Sequence, residues 1–488
     1  MTPPESLERR TAQSIGWRVC ANLAAVIVLF GRAVILARLL EVTTFGTYAL
    51  AFAIVKFSSV LASFGFDGAL LHRDRETVDE SRAASHHFTL TMVFSICWAT
   101  ILFVASTRVG DPQLRIALLV LTATTFGLQL AQTPRMVLVR RVHHRRLALV
   151  DLCSAVFSSI AAILLALRGA ELWALLATDV AVTVVTLVLL FFWRPVWKLS
   201  LAWSRDTVRY FLRFGSRSVL ANLLAASLDR IDNLWTGLVL GRQSLGFYSR
   251  ATTFAGYPRR VVANAVNMVV SGTFAELKGD RTRLSDAFRR VNGLLLWVGL
   301  FIIGLLAVTA QELVVVVIGE RWLPMLLPFR LLLLFAMLDP IERSLASLFA
   351  AVGEPERPVY GRGLRLAVLL IGLQWFGSRY GIAGVASAAS IAIVVDVVLL
   401  LAWSRRHVDF SILSVAGPPA ITCLLGVGAA LASTPLVSTD LSRGLLKATA
   451  FSLVFALLAG FAWRHQLRQS LNGLNIPDSW PPDDLGPP

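Results

Sequence analysis

Arg32, Lys56, Arg259 and Arg260 fall inside apolar stretches of this 488-residue chain, where a fixed positive charge is expensive. Asp67, Asp179, Arg217, Asp229, Arg230, Asp232, Arg250, Arg330, Asp339, Glu342, Arg343 and Asp396 interrupt apolar stretches too. A central Arg, Lys or Asp costs about 2.5–3.5 kcal/mol on insertion scales. Five or six facing hydrocarbon would cost on the order of 15–20 kcal/mol, as much as a whole fold's stability. Such groups must face a partner, a wet cavity or an interface. Lys56 and Arg259 lie roughly 17 and 21 Å along their helices from the preceding links, too deep to snorkel. Pro258 supplies a kink just before the Arg259–Arg260 pair. A cavity lined with cations selects anions, and the planar guanidinium matches phosphate. Lys56, Arg259, Arg260 and Arg32 are therefore candidate ligands for a phosphate- or pyrophosphate-headed lipid. The competing reading is structural pairing: Arg32 with Asp232 across the chain's two halves, or Asp232 and Asp229 as ion-coupling groups.

Other chemistries leave no trace. There is no G-x4-G-K-[ST] loop for nucleotide phosphates, no nucleophile elbow, no zinc motif and no credible catalytic carboxylate pair. Cys20, Cys97, Cys153 and Cys423 all sit in apolar spans without metal spacing. His86–His87 and His143–His144 read as residues of cytoplasm-facing links rather than ligands. No enzyme activity, cofactor or metal is expected.

The elements that must position these charges are membrane helices. Hydrophobic content is 56%, mean hydropathy +0.68, and only 16% of residues are charged, against ~25% in soluble domains. The stretches 88–107, 116–134, 291–311 and 410–439 contain no Asp, Glu, Lys or Arg. A bilayer core is crossed by ~20 such residues. Splitting at polar links and Gly/Pro signals gives fourteen segments: 15–38, 45–71, 86–107, 114–138, 147–167, 171–193, 207–240, 245–275, 286–310, 322–351, 360–377, 380–403, 410–433 and 444–463. The first runs past the length of a signal-peptide core and is expected to stay as a helix. With the N-terminus in the cytoplasm, loop Arg and Lys alternate in phase with roughly threefold excess inside, which places both termini in the cytoplasm. The same loops account for the +16 net charge, so no nucleic-acid partner is expected.

The chain also repeats itself. "RLLEVTTFGTYALA" (38–51) matches "LVLGRQSLGFYSRA" (238–251) at a gapless offset of 200, with Asn22, Gly46 and Tyr48 aligned on Asn222, Gly246 and Tyr248. Six crossings separate the copies, so the two lobes are parallel, related by an axis along the membrane normal. The expected plan is an N-terminal lobe at 1–193, a cytoplasmic connector at 194–206 and a C-terminal lobe at 207–404. Appended helices at 405–465 and a disordered tail at 466–488 follow. The lobes face a central cavity and rock about it.

"DNLWTGLVLGRQSLGFYSRATTFAGYP" (232–258) resembles the D-N-x4-G-x3-G-x3-L-G-x-Y-S-R-A…P pattern of the Wzx-type polysaccharide-biosynthesis flippases. "LLEVTTFGTYALA", "FGFDGALLHR", "GERWLPMLLP" and "AAVGEPERP" are similar to that family's other landmarks, in order, over residues 10–465. The family belongs to the multidrug/oligosaccharidyl-lipid/polysaccharide exporter superfamily. The resemblance implies an all-α two-lobed bundle in the inner (cytoplasmic) membrane. It implies movement of an undecaprenyl-pyrophosphate-linked oligosaccharide between leaflets by alternating access, for exopolysaccharide or lipopolysaccharide synthesis. Membrane lipids, a polysaccharide polymerase and export machinery are the implied partners. Gly46, Tyr48, Gly237, Gly241, Gly246, Tyr248 and Pro258 are then hinge and packing positions, and so is Arg250. The alternatives are a drug/cation antiporter of the superfamily, kept open by Asp67, Asp179 and Asp229; a lipid II flippase; and a membrane glycosyltransferase. The last needs a larger outside loop than this chain has.

Overall fold

The computed structural model describes residues 24–72, 80–141, 143–277, 279–434 and 439–472. The side chains of 72, 144, 217, 259–273, 275 and 462–472 lie outside that description. Cys20, Asn22, His144 as a side chain and residues 473–488 of the tail therefore lie outside the described residues. The described chain is helical throughout, with no strand. Its helices are α1 (24–39), α2 (Val42–Ser58), α3 (Val60–Ser63), α4 (Phe66–His72), α5 (Glu80–Thr107), α6 (Pro112–Arg140), α7 (His144–Leu167) and α8 (Glu171–Leu187). After the irregular 194–204 come α9 (Arg205–Trp235), α10 (Arg242–Leu277), α11 (Arg281–Leu313), α12 (Leu326–Val352), α13 (Glu356–Gly372), α14 (Ser378–Ser404), α15 (Ile412–Ala432) and α16 (Asp440–Asn472). The helix of α16 runs past 466, where the tail was expected to begin.

Among the described residues ten stretches are long and apolar enough to cross a membrane. One of them, Glu356–Ser404, counts 49 residues. At ~1.5 Å per residue it is more than twice as long as a ~30 Å core, and Gly381 breaks it at φ +57°. It therefore folds as two crossings, which part at Gly381 in the first turn of α14. The helices α9 and α10 are missing from the ten because the charges that draw attention to them lower their hydropathy.

Local chemistry sets the boundaries. Asp111 caps α6 by accepting from the backbone N–H of Gln113 at 2.8 Å, with Pro112 in the first turn. Asp280 caps α11 by accepting from Thr282 and Arg283, both at 3.0 Å. Gly241 at φ +88° makes the abrupt link from α9 to α10 that a Cβ would strain.

The repeated motif explains how the halves meet. A Cβ on Gly46 would lie 1.8 Å from the carbonyl oxygen of Arg242, and one on Gly246 would lie 2.2 Å from that of Val42. The contact 46–242 and the contact 246–42 exchange under the 200-residue offset, so α2 and α10 cross about a local two-fold axis. Only glycine permits this approach. The surrounding core mixes both halves: Leu36, Leu40 and Phe45 pack with Tyr248, Phe254 and Trp322. Trp322 is fully buried, edge-on to Phe45 at 5.5 Å and to Phe247 at 5.9 Å, each pair adding about 0.5–1.5 kcal/mol beyond area burial.

Candidate functional site

Around that crossing the same end of the bundle is latched by polar contacts between the halves. Arg38, at the end of α1, donates from Nε to the carbonyl of Val317 at 2.7 Å and from its guanidinium to Val316. Arg321 donates to the carbonyls of Ala37 and Arg38, and Trp322 Nε1 donates to Ala37 at 2.9 Å. Arg242 forms an ion pair with Asp111. Partial burial alone would push the Asp111 carboxyl up; the Gln113 N–H and the Arg242 guanidinium outweigh it and hold the carboxyl below its ordinary range.

Deeper in the bundle lies a cavity of about 490 Å³. Its lining residues all fall between 29 and 186, so it sits within the first half rather than on the seam where a central cavity was expected. Arg32 and Lys56 line it together with Gln129, Gln132, Thr125, Ser158 and Thr178. Arg135 and Asp151 also line it and pair with each other. The hydroxyls and amides give the two cations a polar wall in place of hydrocarbon. Lys56 Nζ donates to Thr125 Oγ1 at 3.3 Å, and Arg32 Nη1 donates to Ser158 Oγ at 3.2 Å. A larger surface recess of about 620 Å³ along Arg405–Leu413 is lined by none of the buried charges.

The second half sends two more cations to the same region. Arg230 of α9 lies 5.1 Å over the Phe52 ring, whose other cationic neighbour is Lys56 at 5.6 Å. Arg250 of α10 lies 4.5 Å over Phe45, and its buried Nε has no hydrogen-bond partner among the described residues. Arg32 is among its charged neighbours. Both guanidiniums are held by ring faces, an attraction of about 0.5–2 kcal/mol that leaves their N–H edges for another acceptor. Two carboxylates answer these charges: Asp179 of α8 accepts from Tyr48 OH at 2.7 Å and has Lys56 and Arg32 as its charged neighbours, and Asp232 of α9 has Arg230.

Several expectations are corrected. Arg32 and Asp232 are not brought together. Asp232 accepts from Tyr248 OH at 2.7 Å and from the Asn233 side-chain amide at 3.0 Å, while Arg32 reaches Ser158. Residues related by the offset are symmetry mates, and mates touch only on the axis itself. Asp229 is exposed on α9, with Arg343 as a charged neighbour. Tyr48 and Tyr248 are not merely packing residues, since each donates to a half-buried aspartate. Gly237 does pack closely: a Cβ there would meet Leu245 at 2.8 Å and Leu50 at 2.9 Å. Pro258 stands inside α10. The side chains of Arg259 and Arg260 lie outside the described residues. Arg250, expected to pack, instead carries a buried Nε with no acceptor among the described residues. His87 is no interfacial link residue: it is fully buried between Thr133 at 2.9 Å and Asp67 at 3.2 Å.

The profile of the polysaccharide biosynthesis protein family matches residues 35–327. The succinoglycan biosynthesis transport protein ExoT of Rhizobium meliloti is 29% identical over 341 residues, covering 66% of this chain and 65% of that protein. The chain thus spans just under two thirds of that relative. The lipopolysaccharide biosynthesis protein WzxC of Escherichia coli is 22% identical over 359 residues, 71% of each chain. Among solved structures, the lipid II flippase MurJ in an inward closed conformation superposes with a TM-score of 0.76 at 13% identity, over 92% of this chain and 99% of that one. That likeness shows a shared fold.

Proposed function

Because the chain belongs to the polysaccharide biosynthesis protein family, we propose that it flips a lipid-linked oligosaccharide across the cytoplasmic membrane, holding the (undecaprenyl) pyrophosphate in the cationic region between its halves. The observation that carries this reading is that Arg32 and Lys56 flank Asp179 in one cavity while Arg230 and Arg250 of the second half stand as charged neighbours of Lys56 and Arg32. Four cations against Asp179 and Asp232 leave a positive surplus that a pyrophosphate would complete. The named relatives, which serve succinoglycan and lipopolysaccharide biosynthesis, support the substrate class.

The arrangement suggests how an anion would drive the cycle. Cations on α1 and α2 repel cations on α9 and α10, which opposes closure of the halves. A bound pyrophosphate cancels that repulsion, so the loaded protein passes between end-closed states more readily than the empty one. The latch of Arg38, Asp111, Arg242 and Arg321 closes one end of the bundle. We assign that end to the outer face and both termini to the cytoplasm, in keeping with the loop charges. Residues 1–193 and 207–404 act as the two rocking lobes, with fourteen crossings in all. A polysaccharide polymerase and export machinery would take the product onward.

A cation antiporter needs an acidic site free to bind its substrate, and Asp179 is hemmed in by Lys56 and Arg32. A lipid II flippase would use the same cations and differ only in head-group. The test is export of polysaccharide from cells lacking the chromosomal copy and carrying Lys56→Gln with Arg250→Gln. Normal membrane insertion with loss of export, and build-up of the lipid-linked intermediate, is expected. Wild-type export from the double variant would refute the reading.

A further inference from the structure

The second half contains a buried carboxylate that the anion site does not use. Asp396 on α14 is fully buried, and neither of its oxygens has a hydrogen-bond partner among the described residues. The closest cation, Arg365 on α13, places Nη1 at 3.8 Å from Oδ2, beyond hydrogen-bond reach. The Arg365 guanidinium lies instead 5.0 Å over the Phe335 ring. Gly361, one turn earlier on α13, makes room for the carboxyl, since a Cβ there would stand 2.4 Å from Asp396 Oδ1.

The other charged groups nearby are committed elsewhere. Glu342 on α12 binds Arg362 at 3.0 Å, and Asp339 binds Arg343 at 2.8 Å. Among the described residues the charged groups facing Asp396 are Glu342 from α12 and Arg362 and Arg365 from α13; α10 adds none. An ionised carboxylate left without hydrogen bonds in a dry interior costs several kcal/mol, whereas its protonated form carries no charge to desolvate.

We propose that Asp396 is a proton-binding site of the second half, occupied in this conformation. It empties when Arg365 closes the remaining distance, roughly 1 Å, to make a hydrogen-bonded ion pair. In that step the O–H bond of Asp396 breaks and its proton passes to water as hydronium; the return step takes a proton from water, and no other bond changes. The two states differ in how α13 seats on α14, so proton occupancy biases the shape of the half that carries Arg230 and Arg250. The site stands whether or not the anion reading does.

Infrared spectra of the full-length protein in phosphatidylethanolamine–phosphatidylglycerol nanodiscs, taken across pH, read the carbonyl stretch of a protonated carboxylic acid directly and need no transport substrate. Ordinary carboxyls lose such a band as pH rises past about 4; the wild type should keep a component above that range, lost only at higher pH, and Asp396→Asn, which keeps the neutral shape, should lack that component. Arg365→Gln should carry the band about one pH unit or more higher, because the ionised form loses its nearest cation. That shift also decides the matter should Asp396→Asn fail to fold. Identical titrating bands in wild type and Asp396→Asn, or an unmoved titration in Arg365→Gln, would overturn the proposal.

Discussion

Replacing Gly46 by alanine should push the protein out of the latched state. The added methyl would lie 1.8 Å from the Arg242 carbonyl oxygen, a backbone atom that no side-chain rotation can move aside. Ordinary contact requires about 1.5 Å more separation between α2 and α10 at their crossing. Overpacking of this kind costs about 1–3 kcal/mol, which shifts the latched-to-open ratio roughly 5- to 150-fold. The assay is labelling of Ala37→Cys, in a background with the native cysteines replaced, by a membrane-impermeant maleimide. Ala37 is fully buried and its carbonyl accepts from Trp322, so the latched protein should label poorly and the Gly46→Ala variant well. By the local two-fold, Gly246→Ala should do the same, since its methyl would lie 2.2 Å from Val42. The double variant should add less than the sum, because either methyl already parts the same interface. Unchanged labelling in both single variants would refute the idea that this crossing is the closed gate.

Asp111→Asn should loosen the same latch more gently, by about 0.2–1 kcal/mol or a 1.4- to 5-fold rise in Ala37→Cys labelling, since the pair with Arg242 is partly solvated. Asp111 has a depressed folded-state pKa, so its contribution is present above the unfolded value near 3.9 and fades as pH falls through the depressed one. Wild-type labelling, taken relative to the Gly46→Ala variant at each pH so that the falling thiolate fraction cancels, should therefore stay flat from neutral pH down to about 4, and a rise above that range would contradict the assignment. Lys447→Ala strands Glu312, its buried partner on α11, and should cost about 3–5 kcal/mol in thermal stability, whereas replacing both by leucine should cost much less. Asp179→Asn removes the counter-charge of Lys56 and Arg32 and should tighten retention of an anionic head-group. Weaker retention would mean that Asp179 itself helps bind it.

Periodicity made the helical segments legible in the sequence, and charge cost singled out Arg32 and Lys56, which line one cavity. A deep cation in an apolar run can only be explained by water or a partner. What the sequence concealed is mostly a matter of which residues touch. The offset of 200 identifies equivalent positions, and it was natural to pair Arg32 with Asp232; a two-fold instead brings 46 against 242 and 246 against 42. Arg250 sits in the family-like motif among packing residues, so its lack of an acidic partner emerged only in three dimensions. Asp179 and Tyr48 lie 131 positions apart, with no local spacing to connect them. The repeated Gly-x-Tyr did carry a signal for both tyrosine–aspartate pairs, because a tyrosine hydroxyl buried in a membrane helix needs an acceptor. Asp396 stood out merely as a charge interrupting a span, and only the close fit against Gly361 revealed its isolation.

The account's central claim is that Arg32, Lys56, Arg230 and Arg250 together hold a pyrophosphate head-group. Native mass spectrometry of the purified protein with a short-chain polyprenyl-pyrophosphate sugar, set beside its uncharged alcohol, measures that claim directly. Selective retention of the pyrophosphate lipid, lost when all four cations are changed to glutamine, is the predicted result. Equal retention of the two lipids, or retention unchanged in the four-fold variant, would contradict it.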